Sequence, residues 1–377
     1  MKIENLQLKF GNWEKLTNAY DISDVNLVIV HGKTNEFEND EHFYYLKKRY
    51  PDAEIIGCSS DELVLKNNIP NSEMVACAIS FNSSRIVLKS ISGTDDNDAS
   101  DLSYNLIKKF DSNGLKHIFL LADGLKFNGS DIVKGLNKSI DIPKTGGLAA
   151  DGTRVEKSLV MANAPASQNI IAAIGFYGDK LTIKSSSVGG WKEFGTPRIV
   201  TKSSKNTLYE LNGEPIIEYY KRYFGSGYDF IKDIAFKFPF GIKKYDLDEP
   251  IIRTAIRINY DDNSVTTSGD IPEGYIAQIM KPDIDMLIDG AGEAAKIAQV
   301  DSRALSLGLV TSCEGRRSVL RQLVQDEVEK VATTLGDNVN LVGFYSYGEI
   351  SPYQNGINKT LFHNQTMTIT VVSEEIE

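Results

Sequence analysis

The chain has 377 residues, 41% of them hydrophobic and 24% charged, an ordinary globular balance too long for one small core. Lys and Arg total 41 against 51 Asp and Glu, a net charge of −10 that disfavours nucleic acid and anionic lipid as partners. The apolar runs are too short to cross a bilayer, and the opening MKIENLQLKF has no apolar leader core, so a soluble cytoplasmic protein is expected.

Elements alternate along the chain. A strand is expected over 26–31, a helix over 38–50, a strand over 52–58, and a hairpin from 74–81 and 85–92 around Asn82 and Ser83. The pattern restarts with a helix over 100–110, a strand over 117–122, a helix over 130–140 and a strand end at 144–149. Strands over 158–162, 169–177 and 180–188 follow, then a helix over 215–224. After the Gly-rich FGSGY at 224–228 come a strand over 251–260, a turn at 261–263 and a long helix over 282–300. The third restart is a strand over 304–312, a helix over 316–335 stopped by Gly336, and strands over 340–346 and 363–372.

Three passages therefore read as versions of one unit: VIVHGK with EIIGCSSDE, FLLADG with TGGLAADG, and GLVTSCEG with LVGFYSYGE. In each, a strand, a helix and a second strand imply a parallel crossover, and the polar loops follow strand carboxyl ends, where open α/β sheets bind ligands. The expected fold is mixed α+β (α/β). It has two domains, 1–224 and 225–377, with mixed sheets built from repeated strand–helix–strand units followed by antiparallel hairpins.

The candidate ligand-binding residues lie in those loops: Cys58, Ser59, Ser60, Glu62, Asp123, Asp151, Cys313, Arg316, Tyr345 and Glu349. Glu62, Asp151, Glu349 and Asp123 suit an ammonium group, although a carboxylate there can equally cap a loop. Arg316 stands at the start of the long helix, where a guanidinium is natural only if an anion lies beside it, so it is expected to anchor a carboxylate. Cys58 and Cys313 read as core fillers or as thiols facing the cleft. The histidines His31, His42, His117 and His363 are scattered, and no CxxC or HExxH occurs, so neither a metal site nor a catalytic residue is expected.

The motifs GCSSDEL at 57–63, ADG at 122–124, GGLAADG at 146–152, GGWKEFG at 189–195 and VTKSSKNTLYELNGEPIIEYY at 200–220 resemble the FIST N-terminal domain. PEGY at 272–275, SCEGRR at 312–317 and GFYSYGEISP at 343–352 resemble the FIST C-terminal domain. The resemblance spans roughly residues 25–372 in the family's order. It departs at Asp61, where relatives often carry a small residue. It implies a sensory signal-transduction protein that binds a small ligand such as an amino acid and acts through a partner protein. Some relatives resemble haem-dependent nitric oxide sensors, and a haem cofactor here would need one of the four histidines. A thiol-dependent enzyme using Cys58 or Cys313 is a further alternative.

Overall fold

The computed structural model describes residues 1–16, 22–94, 97–225, 235–244, 249–301, 304–352 and 359–375. The three repeated passages form three sheets of one design. In each, two parallel strands joined through a helical crossover lie side by side, and a third strand runs antiparallel beside the first. The first sheet has the inner order Glu54–Ser59, Leu27–Gly32, Met74–Ser80, Lys2–Lys9. The second has Lys144–Leu148, Leu115–Ala122, Ile170–Tyr177, Arg85–Ser92. The third has Val339–Ser346, Ser306–Cys313, Met367–Glu374, Leu181–Val188.

Each unit also passes a short strand to another sheet. Leu63–Leu65 of the first unit pairs with Val339–Ser346 of the third. Glu349–Pro352 of the third pairs with Lys144–Leu148 of the second. Val160–Ala162 of the second pairs with Glu54–Ser59 of the first. The exchange closes a cycle, so no unit completes its sheet alone.

The strands are apolar on both faces because both faces are covered. Ile29, Ile56, Phe119, Leu121, Ile174, Leu307, Leu309, Val342 and Phe344 share one central core contributed by all three sheets. The opposite faces pack against helices. Val28 and Val30 meet Phe43 and Leu46; Ile118 and Leu120 meet Leu106, Ile132 and Leu136; Val310 and Leu341 meet Leu287, Ala291, Val328 and Val331. A β-rich module, strands Lys192–Glu193 through Ile276–Lys281 with helix Ile216–Phe224, is inserted between Leu181–Val188 and helix Ile284–Ala298 and has its own core. The expected division at 224/225 falls inside this module, and the second and third sheets each join strands from both sides of it.

Two expectations change, and one segment without an expectation gains a strand. The runs 74–80 and 85–92 do not form a hairpin; they belong to different sheets. The buried carboxylate of Glu374 accepts from the backbone N–H of Asn82, Ser83 and Ser84 and turns the chain between the sheets. The helix expected over 316–335 is two helices, Glu314–Leu320 and Val324–Leu335, broken where Arg321 takes φ of 53°. The break lets Arg316 and Glu327 bond at 2.7 Å, whereas eleven residues of straight helix would hold them about 16 Å apart. The opening segment, unassigned by periodicity, forms the strand Lys2–Lys9, with Glu4, Asn5 and Gln7 buried among the apolar residues.

Gly57, Gly146 and Gly343 hold the same register in the three parallel pairs, opposite Val30, Leu120 and Val310. A Cβ there would stand 1.9, 1.8 and 2.1 Å from the partner strand's carbonyl oxygen. Alanine at any of the three should therefore destabilise the protein by about 3 kcal/mol or more. Gly292→Ala meets only the flexible Lys330 side chain and gains helix propensity, so it should be neutral or stabilising by up to about 1 kcal/mol. Urea denaturation of the four variants checks this, and equal costs would contradict the repeat.

Candidate functional site

The loops after the parallel strands meet. Ala150 N donates to Ser59 O (3.0 Å), and the Ser59 hydroxyl donates to Ala150 O (2.9 Å). The Ser60 hydroxyl donates to Tyr345 O (2.8 Å) and accepts from Tyr345 N (3.1 Å). Tyr347 N donates to Leu148 O (3.1 Å), and Leu148 N donates to Gly348 O (2.9 Å). All three units thus converge at their strand carboxyl ends, as the repeated order implies.

Most of the expected ligand contacts are spent on holding this junction together. Ser59 and Ser60 are buried clamps. Asp123 accepts from the N–H of Leu125, Lys126 and Asn169 and from the Ser158 hydroxyl. Asp151 accepts from the N–H of Val155, Glu156 and Lys157 and from the Tyr347 hydroxyl. Burial alone would raise the Asp151 pKa, but those donors outweigh it and hold the carboxyl below its usual range. Glu349 is buried and accepts from the Ser346 hydroxyl and from the N–H and hydroxyl of Thr366. Burial still pushes it up to about 7. The Tyr345 hydroxyl donates to Glu327 (2.6 Å) in the core.

Arg316 is not an anion anchor. Its side chain is fully buried and donates from Nε (3.0 Å) and Nη2 (2.7 Å) to Glu327, from Nη2 to Leu287 O (2.8 Å), and from Nη1 to Gly189 O. Cations are disfavoured near a helix start unless paired, and here the partner is Glu327 of the next helix rather than a ligand.

The neighbouring Arg317 faces the junction instead. Its Nη2 donates to Asp61 (2.6 Å), and its Nε lies 3.4 Å from Glu62 and 3.6 Å from Glu314 with no hydrogen-bond partner. Glu314 is the group sequence reasoning missed. It is 4% exposed, and neither carboxylate oxygen has a hydrogen bond. Burial raises its pKa to about 8; Arg317 opposes the shift, and Asp61, Glu62 and Asp151 add to it. The signal was the acidic residue inside SCEGRR, overshadowed by the two arginines after it. Arg154 stands 3.8 Å from Asp61. Beside the cluster a cleft of about 290 Å³ is walled by Lys33, Asp61, Glu62 and Pro70. The junction thus sets Arg317 against a carboxylate with no hydrogen-bond donor of its own, and Lys33 lines the adjoining cleft.

The thiols are buried. Cys58 Sγ lies 3.4 Å from His31 Nδ1, a pairing of residues 27 apart that no local motif shows. Burial drives the thiol well above its usual range and the imidazole down to about 3, the reverse of an activated thiolate–imidazolium pair. Cys313 accepts from Gly315 N at the helix start, and burial raises its thiol too. His117 bonds the Thr145 hydroxyl, His42 bonds Trp13 and Glu36, and His31 stacks on Phe344. Among the described residues, no group of three or more His, Cys, Asp or Glu is placed to hold a metal ion, and no helix is long and apolar enough to cross a membrane.

Two outcomes are expected. Arg316→Ala strands the buried Glu327 and should cost about 3–5 kcal/mol, whereas Arg317→Ala should leave the melting temperature within a few degrees; thermal melts of both variants check this. Native Cys58 and Cys313 should react with iodoacetamide at neutral pH far more slowly than the same thiols in urea, and a fast native phase mapped to either residue by mass spectrometry would contradict their assignment as inert.

No curated protein matches the chain in sequence. Among solved structures, a chorismatase is similar over 98% of each chain at 9% identity and a TM-score of 0.36. A cyanuric acid hydrolase from A. caulinodans is similar over 94% of this chain and 91% of its own at 7% identity and a TM-score of 0.36. At that level neither carries an argument about chemistry. The FIST N domain matches residues 26–214 and the FIST C domain matches residues 217–352. The chain therefore belongs to the FIST family, whose domains are sensory domains of signal transduction.

Proposed function

We propose that this chain is a cytoplasmic, non-catalytic sensor that binds a small amphoteric ligand, an amino acid or a close relative, where its three units meet. The observation that carries this is Glu314, a buried carboxylate with no hydrogen bond, set against Arg317. An orphaned acid in a folded core costs stability, and such sites are where ligands complete the missing contacts. An ammonium group beside Glu314 would supply them, while Arg317 and Lys33 offer donors for the ligand's carboxylate.

The same short helix offers a route for output. Glu314–Leu320 carries Glu314 and Arg317 toward the ligand, and on another side Arg316 grips Gly189 O and Leu287 O. Those carbonyls flank the two connections of the inserted module to the third sheet. Pulling this helix toward a ligand would shift the module, giving a partner protein a surface that reports occupancy.

Binding has a defined pH sign. Glu314 is largely protonated below about 8 when the site is empty, and an ammonium ligand favours the carboxylate. Binding at pH 7 should release a proton, and affinity should rise as pH increases toward about 8. Calorimetry of L-amino acids in buffers of different ionisation enthalpy reads the proton directly. Glu314→Gln and Arg317→Ala should each remove ligand-induced stabilisation. If no amino acid stabilises the protein, or if both variants respond as the parent does, the reading fails.

A further inference from the structure

A second cavity lies at the root of the inserted module, separate from the junction of the loops. It measures about 510 Å³ and opens between the end of strand Leu181–Val188, the Gly189–Trp191 turn and the module's strands Ile251–Arg253 and Ile276–Lys281. Its walls are of two kinds. Trp191, Ile252 and Met280 give an apolar surface, with the indole fixed by a 2.9 Å bond from Nε1 to Gln365 O. Glu193 and Glu249 stand at the rim, and among the described residues no Lys or Arg lines it, although Lys243 Nζ comes within 3.8 Å of Glu193. His363 completes the wall, and its buried Nε2 has no hydrogen-bond partner.

We infer that this cavity is a second ligand site, and that it takes an organic amine with an apolar body. Rigid aromatic and aliphatic walls with a few convergent polar groups are what small-molecule sites are built from. The charge of the lining selects the class: two carboxylates favour a cation, and the indole face favours a ring or alkyl chain beside it. Burial, with Arg253 adding to it, lowers the His363 pKa to about 4, so at neutral pH the ring is uncharged and can accept a ligand N–H at Nε2. A carboxylate or phosphate would meet repulsion from both glutamates. The cavity also touches the machinery of the first site. The Ser187 hydroxyl bonds Thr366, and Thr366 in turn holds the buried Glu349.

The chain has two tryptophans, so Trp13→Phe leaves Trp191 as the sole indole reporter. In that background, phenethylamine should change Trp191 emission saturably, 2-phenylethanol should bind more weakly, and 3-phenylpropionate should not bind. Val188→Phe, which fills the cavity, should weaken phenethylamine about tenfold or more. Glu193→Gln and Glu249→Gln, both exposed and safe for folding, should weaken it roughly two- to fivefold each. Arg317→Ala should leave it unchanged, which separates this cavity from the amino-acid site. The assignment is overturned if phenethylamine and hexylamine give no saturable change, or if the phenylpropionate binds as well as the amine. It is also overturned if the purified protein shows a Soret band that His363→Ala abolishes, since haem would then occupy the wall.

Discussion

The structure depends on a cyclic exchange of three short strands. Leu63–Leu65, Val160–Ala162 and Glu349–Pro352 each leave their own unit and complete the sheet of another. Unpaired sheet edges leave N–H and C=O groups without partners, and here the edge of each second parallel strand is covered by a strand from a different unit. Because the exchanged strand follows directly after the loop at the carboxyl end, pairing draws all three loops to one place. The junction is thus a product of backbone hydrogen bonding, and the side chains within it are mostly engaged in closing it.

That explains why so many polar residues at the strand ends are buried and satisfied. Asp123 and Asp151 each bind three backbone N–H groups, and the serines after Cys58 bridge two units. In this setting a carboxylate with no donor stands out. Glu314 differs from Asp123 and Asp151 in having no hydrogen-bond donor turned toward it, and it lies within the acidic field of Asp61, Glu62 and Asp151. Arg317 compensates part of that field through Asp61, Glu62 and Glu314.

The adjacent arginines show how one helical step sends two neighbouring side chains into different surroundings. Successive side chains diverge by about 100°, so one of them must turn inward when the other faces the loops. Arg316 turns inward and meets Glu327, which also receives the hydroxyls of Tyr345 and Ser312. This closed polar network needs the helix break at Arg321, and through Gly189 O and Leu287 O it anchors the inserted module to the core. A buried network of this kind specifies one arrangement of its parts because each donor lost leaves a charge uncompensated.

The repeat was legible in the sequence because strand–helix–strand periodicity and the glycine at each second strand are local features. Gly57, Gly146 and Gly343 hold the equivalent register in the three units. The mixed α+β class, the three crossovers, the carboxyl-end loops and the family all follow from residues near one another in the chain. What required the tertiary structure were the pairings between distant residues. The hairpin expected at Asn82 failed because Glu374, some 290 residues away, binds its backbone. Arg316 was taken for the ligand's arginine because nothing in SCEGRR shows which of two adjacent side chains finds Glu327. The strand Lys2–Lys9 was hidden because its buried polar residues find their partners in distant residues, as Glu4 does with Arg49, Gln7 with Ser72 and Asn5 with Asn340. Periodicity reports which face of an element is apolar. Which polar group on that element ends up satisfied is decided by whatever the fold brings against it, and that is where Glu314 was separated from the rest.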